Sequence, residues 1–127
     1  MPNYKTLTLP PALYPGDSYT VINGETPASG TASERVALAA HEDNAHAPKL
    51  SVSVSFAGAP GAFEIDVQLS DSDSDQAFVA ETTTITAVNA NNQARLEFPN
   101  TVVGRFARLY TKTANANSVP CTATITR

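Results

Sequence analysis

The fold is decided by residues 50–69, LSVSVSFAGAPGAFEIDVQL, in which two runs of alternating apolar and polar residues flank a turn rich in glycine and proline. Apolar residues at every second position are typical of a strand with one buried face. We therefore predict an antiparallel hairpin of two half-buried strands, closed by the turn at residues 57–62. The apolar positions of this hairpin are Leu50, Val52, Val54, Phe56, Phe63, Ile65, Val67 and Leu69.

Similar patterns continue to the last residue of the chain. Residues 94–98 and 119–126 alternate in the same way, and residues 78–87 have strand composition without a clear phase. Residues 102–113 are apolar on both faces, as expected of a strand that is covered on both sides or faces a partner. We expect about six to eight strands in an all-β, antiparallel β-sandwich or jelly roll that covers residues 31–127.

The first 30 residues differ from the rest, because four of the nine prolines lie between Pro2 and Pro15. Proline fixes φ and removes a hydrogen-bond donor, so residues 1–30 are predicted to form an extended N-terminal arm with at most a short strand at residues 19–22. Residues 31–47 fit a short capped helix or a strand, and the strand is favoured. The apolar side chains predicted to anchor the arm on a partner are Tyr4, Leu7, Leu9, Leu13 and Tyr14.

Composition limits the classes of partner. A chain of 127 residues is the size of one domain. Its charged fraction of 16% lies below the usual value of about 25%. A neutral, hydroxyl-rich surface fits contact with other subunits, since few charges would be desolvated, and fits equally an ordinary threonine-rich β surface. The net charge of −4 argues against non-specific binding of nucleic acid, and Arg105, Arg108 and Lys112 are expected on the solvent face of a strand.

Cys121 is the single cysteine, which excludes an intrachain disulfide. Because it alternates with Val119, Ala123 and Ile125, we predict that it packs in the core as a small apolar residue. No stretch approaches the roughly 20 apolar residues of a membrane span, and no signal peptide is recognised at Met1. We therefore expect a protein that is made in the cytosol and contacts no membrane.

One acidic turn could hold a cation. Its spacing matches the start of an EF-hand loop, but Gln76 stands where the loop needs glycine and Thr82 where it needs a bidentate glutamate. A solvated acidic turn is therefore predicted, with a weak calcium site completed by Glu81 or by another loop as the alternative. The aspartates of this turn are Asp71, Asp73 and Asp75.

No other pattern points to catalysis. The spacing between His41 and His46 does not place both on one helical face, so residues 41–46 are predicted to be a solvated loop and not a zinc site. Glu64 and Asp66 share a strand face and could approach the separation used in glycoside hydrolysis, but a solvated face is favoured. We expect no enzymatic activity, no metal and no cofactor.

Residues 56–68, FAGAPGAFEIDVQ, together with the aspartate turn, residues 106–110, FARLY, and the final TITR, resemble small virion proteins of tailed bacteriophages. The likeness covers residues 50–127 and is similar in character to capsid decoration proteins and to β-sandwich heads of phage fibres. It implies a homotrimer on the outer capsid surface that binds the major capsid protein and stabilises the shell. The alternative that it implies is a host-surface or glycan-binding module of a phage fibre or tail.

Overall fold

The structure is a computed structural model that describes residues 10–14, 16–38, 50–70, 72–98 and 106–127. Within these ranges the chain forms short strands and one turn of 3-10 helix at Asp75–Ala77. The strands are β1 (Ala12–Leu13), β2 (Ser18–Glu25), β3 (Thr31–Ala32), β4 (Val36–Leu38), β5 (Leu50–Phe56), β6 (Glu64–Ser70), β7 (Val79–Ile85), β8 (Gln93–Phe98), β9 (Phe106–Thr113) and β10 (Cys121–Thr126).

The strands belong to two sheets that pack face to face. Sheet I has the order β1-β4-β9-β6-β7, with β3 also paired to β9, and sheet II has the order β2-β10-β5-β8. The pairs among these strands are antiparallel except β1 with β4. The predicted all-β sandwich is thus confirmed. The described residues contain more strands than expected, because β1, β3 and β4 are only two or three residues long and have no clear alternation.

The core lies between the sheets and uses the alternating residues that the sequence pattern singled out. The apolar positions of β5, β6 and β10 are all buried, and Val52, Val67 and Ile125 have no exposed surface. Cys121 is 1% exposed, which confirms its predicted place in the core. β5, β6 and β10 therefore each direct an apolar face toward the opposite sheet, and the two sheets keep these faces away from water.

The predicted hairpin of residues 50–69 is wrong. β5 lies in sheet II between β10 and β8, whereas β6 lies in sheet I between β9 and β7. Residues 57–62 therefore cross from one sheet to the other, and the rings of Phe56 and Phe63 meet with their centroids 4.8 Å apart. Alternation specifies which face of a strand is buried but does not specify its neighbour, so facing strands of two sheets have the same pattern as a hairpin.

The predicted boundary between an arm and the sandwich also needs correction. Residues 1–9 lie outside the described residues, but β2 pairs with β10 along its length, so the sandwich begins before residue 31. The preceding turn is held to the end of the chain, since the Arg127 side chain donates to the Leu13 carbonyl at 2.8 Å and Gly16 N–H donates to the Arg127 carbonyl at 2.9 Å. Val21 and Ile22 of β2 contribute to the core.

Candidate functional site

The outer surface of sheet II carries small hydroxyl residues on three adjacent strands. On β5 and β10 the inward residues are apolar, and the residues that alternate with them on the outer side are all serine or threonine. The outward residues of β2 near its start continue the pattern. We call this surface the hydroxyl face; it comprises Ser18, Thr20, Ser51, Ser53, Ser55, Thr122, Thr124 and Thr126.

Strand register arranges these hydroxyls in rows. Thr124 lies opposite Ser53 on one side and Thr20 on the other, and the Oγ1 atoms of Thr20 and Thr124 are 3.2 Å apart. β5 and β10 pair without a register shift. Their hydroxyls are therefore spaced by the ordinary strand geometry, with about 4.8 Å between strands and about 6.7 Å between outward residues of one strand. The Oγ1 atom of Thr122 also accepts a hydrogen bond from Gly24 N–H at 3.1 Å, which fixes that side chain.

The hydroxyl face can make polar contacts of either sense. A hydroxyl group can donate or accept, so it can match either type of polar atom on a partner. Removing a hydroxyl from water costs far less than removing a charge. The charged residues beside the face are Arg95 and Glu97 on β8, whose side chains lie 3.1 Å apart and are 66% and 57% exposed. A shallow groove of about 500 Å³ runs over the face between Ser53, Thr122 and Arg95.

A second polar concavity lies where β2 approaches the β3 region of the other sheet. This cleft of about 680 Å³ is bordered by Tyr19, Asn23, Glu25 and Glu34. The Tyr19 hydroxyl donates to Glu34 Oε2 at 2.8 Å, and that hydrogen bond to a carboxylate is the main reason why the pKa of Tyr19 is raised. The cleft therefore combines an aromatic ring with carboxylates that can accept hydrogen bonds.

The outer face of sheet I is less open than the sequence predicts. Arg108 is 8% exposed and not solvated, because its guanidinium lies 4.2 Å from the centroid of the Phe78 ring and its Nε donates to Gln68 at 2.8 Å. Arg35 lies over the same ring at 5.2 Å. Burial, together with the nearby charge of Arg35, lowers the pKa of Arg108. The connection that carries Phe78 thus covers part of this face.

The two carboxylates considered for catalysis, Glu64 and Asp66, have different partners and different burial. Asp66 is buried and not solvated, and its Oδ1 accepts a hydrogen bond from the Thr84 hydroxyl at 2.6 Å. Glu64 lies 3.6 Å from the ammonium group of Lys112, which is exposed as predicted. The strand pattern predicts a solvated Asp66, because alternation does not show which side chains cover the outer face of sheet I.

The acidic turn is placed only in part. Asp73 bonds Arg35 at 2.8 Å, and this ion pair ties the turn to the segment before β4. Asp71, Arg105 and the loop residues His41 and His46 lie outside the described residues, as do Glu42 and Asp43. Within the ranges that the structure describes, no three histidine, cysteine or acidic side chains converge as a metal site would require.

Two of the predicted partner-binding residues can be placed. Leu13 is 3% exposed and packs in the chain's own core, so its side chain is not free to anchor a partner, contrary to the prediction. Tyr14 is 59% exposed and is the most exposed large apolar residue in the described part of the chain. The remaining predicted anchors, Tyr4, Leu7 and Leu9, lie outside the described residues.

Sequence reasoning did not select the hydroxyl face, although its signal is present. The serines between Leu50 and Phe56 and the threonines between Cys121 and Thr126 alternate with core residues. The pattern does not show that β5 and β10 are adjacent, because these strands are far apart in sequence and pair only in the folded sheet.

No protein-family model, curated protein or solved structure matches the chain. Over the described ranges, no helix has the length and apolar character needed to cross a membrane.

Proposed function

We propose that the protein is a structural protein of a virion that binds the outer surface of the capsid and stabilises the shell. The sandwich would act as a rigid body that contacts the major capsid protein over a broad area. No catalytic step and no cofactor are part of this proposal. The resemblance of residues 50–127 to phage virion proteins supports the type of assembly. The outward serines and threonines of sheet II support the choice of contact surface.

The observation that carries the proposal is the hydroxyl face. It lies on the outer side of sheet II, where β5 and β10 contribute only serine and threonine to it. Binding to its central strands, β5 and β10, desolvates hydroxyls and not charges, and these strands are fixed by the core below, so little conformational entropy is lost. Tyr14 lies exposed near the start of β2 and offers an aromatic anchor of the kind that is enriched in interfaces.

The test is whether a charge placed on the hydroxyl face abolishes binding to the shell. Ser53→Arg adds a cation at an exposed position beside Arg95. We expect binding of purified protein to undecorated capsids to weaken about tenfold or more, since an unpaired charge would be desolvated. The matched control, Thr86→Arg, adds the same charge at an exposed position beyond the end of β7 and is expected to bind as the natural chain does.

Two results would count against this function. Equal binding by Ser53→Arg and the natural chain would exclude the hydroxyl face as the contact surface. The second result concerns the copy number, measured by mass spectrometry of complete particles. A decoration protein is expected at a copy number comparable with that of the major capsid protein. A copy number comparable with that of tail proteins would instead support the fibre or tail module.

The polar cleft favours a second candidate function, binding of a glycan by a fibre or tail module. Its volume of about 680 Å³ lies in the range of ligand sites. Tyr19 offers a ring for stacking, and Glu25 and Glu34 offer acceptors for sugar hydroxyls. A glycan array distinguishes the two functions: saturable binding that is lost in Tyr19→Ala supports this candidate, and an array without binding excludes it for the sugars tested.

A further inference from the structure

Among the strands that the structure describes, β8 is a regular, open edge of sheet II. It pairs with β5 at each of its positions from 93 to 98 without a bulge, and within the described part of the chain no strand lies on its other side. The opposite edge, β2, has two register shifts against β10, and such irregularities hinder the addition of a further strand. An unprotected edge presents unpaired backbone donors and acceptors that can pair with another strand.

The hydrogen-bond phase of β8 identifies which residues face the open edge. Phe56 N–H donates to the Asn92 carbonyl at 2.9 Å, so residue 92 and every second residue after it pair with β5. Arg95 and Glu97 are therefore the residues whose backbone groups point away from β5. Gln93 has the same phase, but its N–H and carbonyl already bond to Asn89.

Only one two-fold arrangement of two β8 strands satisfies both the backbone and the charges. A two-fold axis at Leu96 places Arg95 of one copy opposite Glu97 of the other, and each pair exchanges two backbone hydrogen bonds. An axis at Arg95 would place two arginines opposite each other. It would also need hydrogen bonds from the backbone of Gln93, whose N–H and carbonyl already bond to Asn89. An axis at Glu97 would oppose two glutamates and require an N–H from Pro99, which proline lacks.

Leu96 supports the same arrangement. It packs against the core but remains partly exposed, because β8 has no neighbour on its outer side among the strands that the structure describes. With the axis at Leu96, the two leucines face each other as a non-hydrogen-bonded pair, in which side chains approach closely. Association would thus cover apolar surface, complete backbone pairing and surround each charge with opposite charges.

We infer that two copies of this chain associate through β8 as an antiparallel, two-fold dimer centred on Leu96. Sheet II then continues from one copy into the other, and the hydroxyl faces of the two copies lie side by side. This inference does not depend on the proposed function. It replaces the trimer implied by the resemblance with a dimer for the protein in solution.

The test exchanges the charges of the open edge and measures the oligomeric state of the full chain by sedimentation over a range of concentrations. Arg95→Glu and Glu97→Arg each place like charges in both contacts of the dimer, so the dissociation constant is expected to rise about tenfold or more. The double variant R95E/E97R restores opposite charges and is expected to dimerise as the natural chain does. An equimolar mixture of the two single variants is expected to form heterodimers, because the introduced glutamate of one variant faces the introduced arginine of the other.

The matched control alters an exposed ion pair away from the edge. Lys112→Glu places two acidic residues together on sheet I, where Glu64 lies 3.6 Å from Lys112 in the natural chain, and is expected to leave dimerisation unchanged. Circular dichroism identifies any variant that fails to fold, and the remaining single variant and the double variant then carry the test. A natural chain that is monomeric or trimeric at all concentrations, or single variants that dimerise as it does, would overturn the inference.

Discussion

At the scale of single residues, the surroundings of Arg108 show how a cation is accommodated on a covered sheet face. The guanidinium stacks on Phe78 and bonds Gln68, so burial removes water but supplies a π face and a hydrogen-bond acceptor in its place. Arginine suits this position because its planar group stacks and donates together. The stack fastens the connection before β7 to the sheet that it covers.

Cys121 gives a prediction at the same scale. Burial raises the pKa of its thiol to about 11, so the reactive thiolate is scarce in the native protein at pH 8. We expect a disulfide reagent to label Cys121 only as fast as the protein unfolds. The measurement is the labelling rate with and without denaturant, and rapid labelling of the native protein would contradict a core position.

The same thiol makes stability depend on pH. The unfolded thiol loses its proton near pH 9.0 and the folded thiol near 11, so the contribution to stability is complete below pH 9.0 and is lost as pH rises toward 11. We expect the free energy of unfolding to fall more steeply over this interval in the natural chain than in Cys121→Ala. Equal slopes in urea titrations would show that the thiol is not responsible.

At the scale of elements, the crossing between β5 and β6 is joined to the turn before β10. Ala116 N–H donates to the Ala62 carbonyl at 2.9 Å, and Asn117 N–H donates to the Pro60 carbonyl at 3.1 Å. The side chain of Asn115 closes the turn by two hydrogen bonds to the backbone of Val119. These contacts fix the direction in which the chain passes from one sheet to the other.

Gly61 allows this junction to form. Its φ is +71°, and an added Cβ would lie 3.1 Å from the Cβ of Ala116. We expect Gly61→Ala to lower the free energy of unfolding by about 1–3 kcal/mol, because strain and a close contact act together. The control is Gly58→Ala in the same loop, whose added Cβ would lie 3.7 Å from Val119 Cγ1, an ordinary contact. Equal denaturation midpoints for the two variants would contradict this role of Gly61.

At the scale of the whole molecule, the sandwich depends on a strand from the segment predicted to be an arm. Deletion of residues 1–25 removes β1 and β2, and with them the buried side chains of Leu13, Val21 and Ile22. Each contributes about 1.5–3 kcal/mol, so the sum is comparable with the roughly 5–15 kcal/mol that stabilises a whole domain. We expect this variant to lose its cooperative thermal transition, as followed by circular dichroism.

The control deletes residues 1–9 only, which precede every described strand, and is expected to keep the cooperative transition. A deletion of residues 1–25 that still melted cooperatively near the temperature of the natural chain would show that the sandwich is complete without β2. The boundary predicted at residue 31 would then be correct.

Most of the apolar core could be predicted from the local sequence pattern. Alternation placed Val52, Val67, Cys121 and Ile125 in the core, and their low exposure confirms it, because a strand turns successive side chains to opposite faces whatever its partners are. The same rule implied an all-β sandwich. It also set the serines and threonines of β5 and β10 on the outer side, without showing that they share one surface.

Which strands are neighbours could not be predicted from local pattern and is known only from the folded chain. In the folded chain, β5 and β6 lie in different sheets, β2 pairs with β10, and Arg108 lies against the Phe78 ring. These contacts join residues that are distant in sequence, and their choice depends on the energy of the whole packed core and not on any local pattern. The hydroxyl face and the edge formed by β8 arise from that choice, so both surfaces exist only once the sheets have formed.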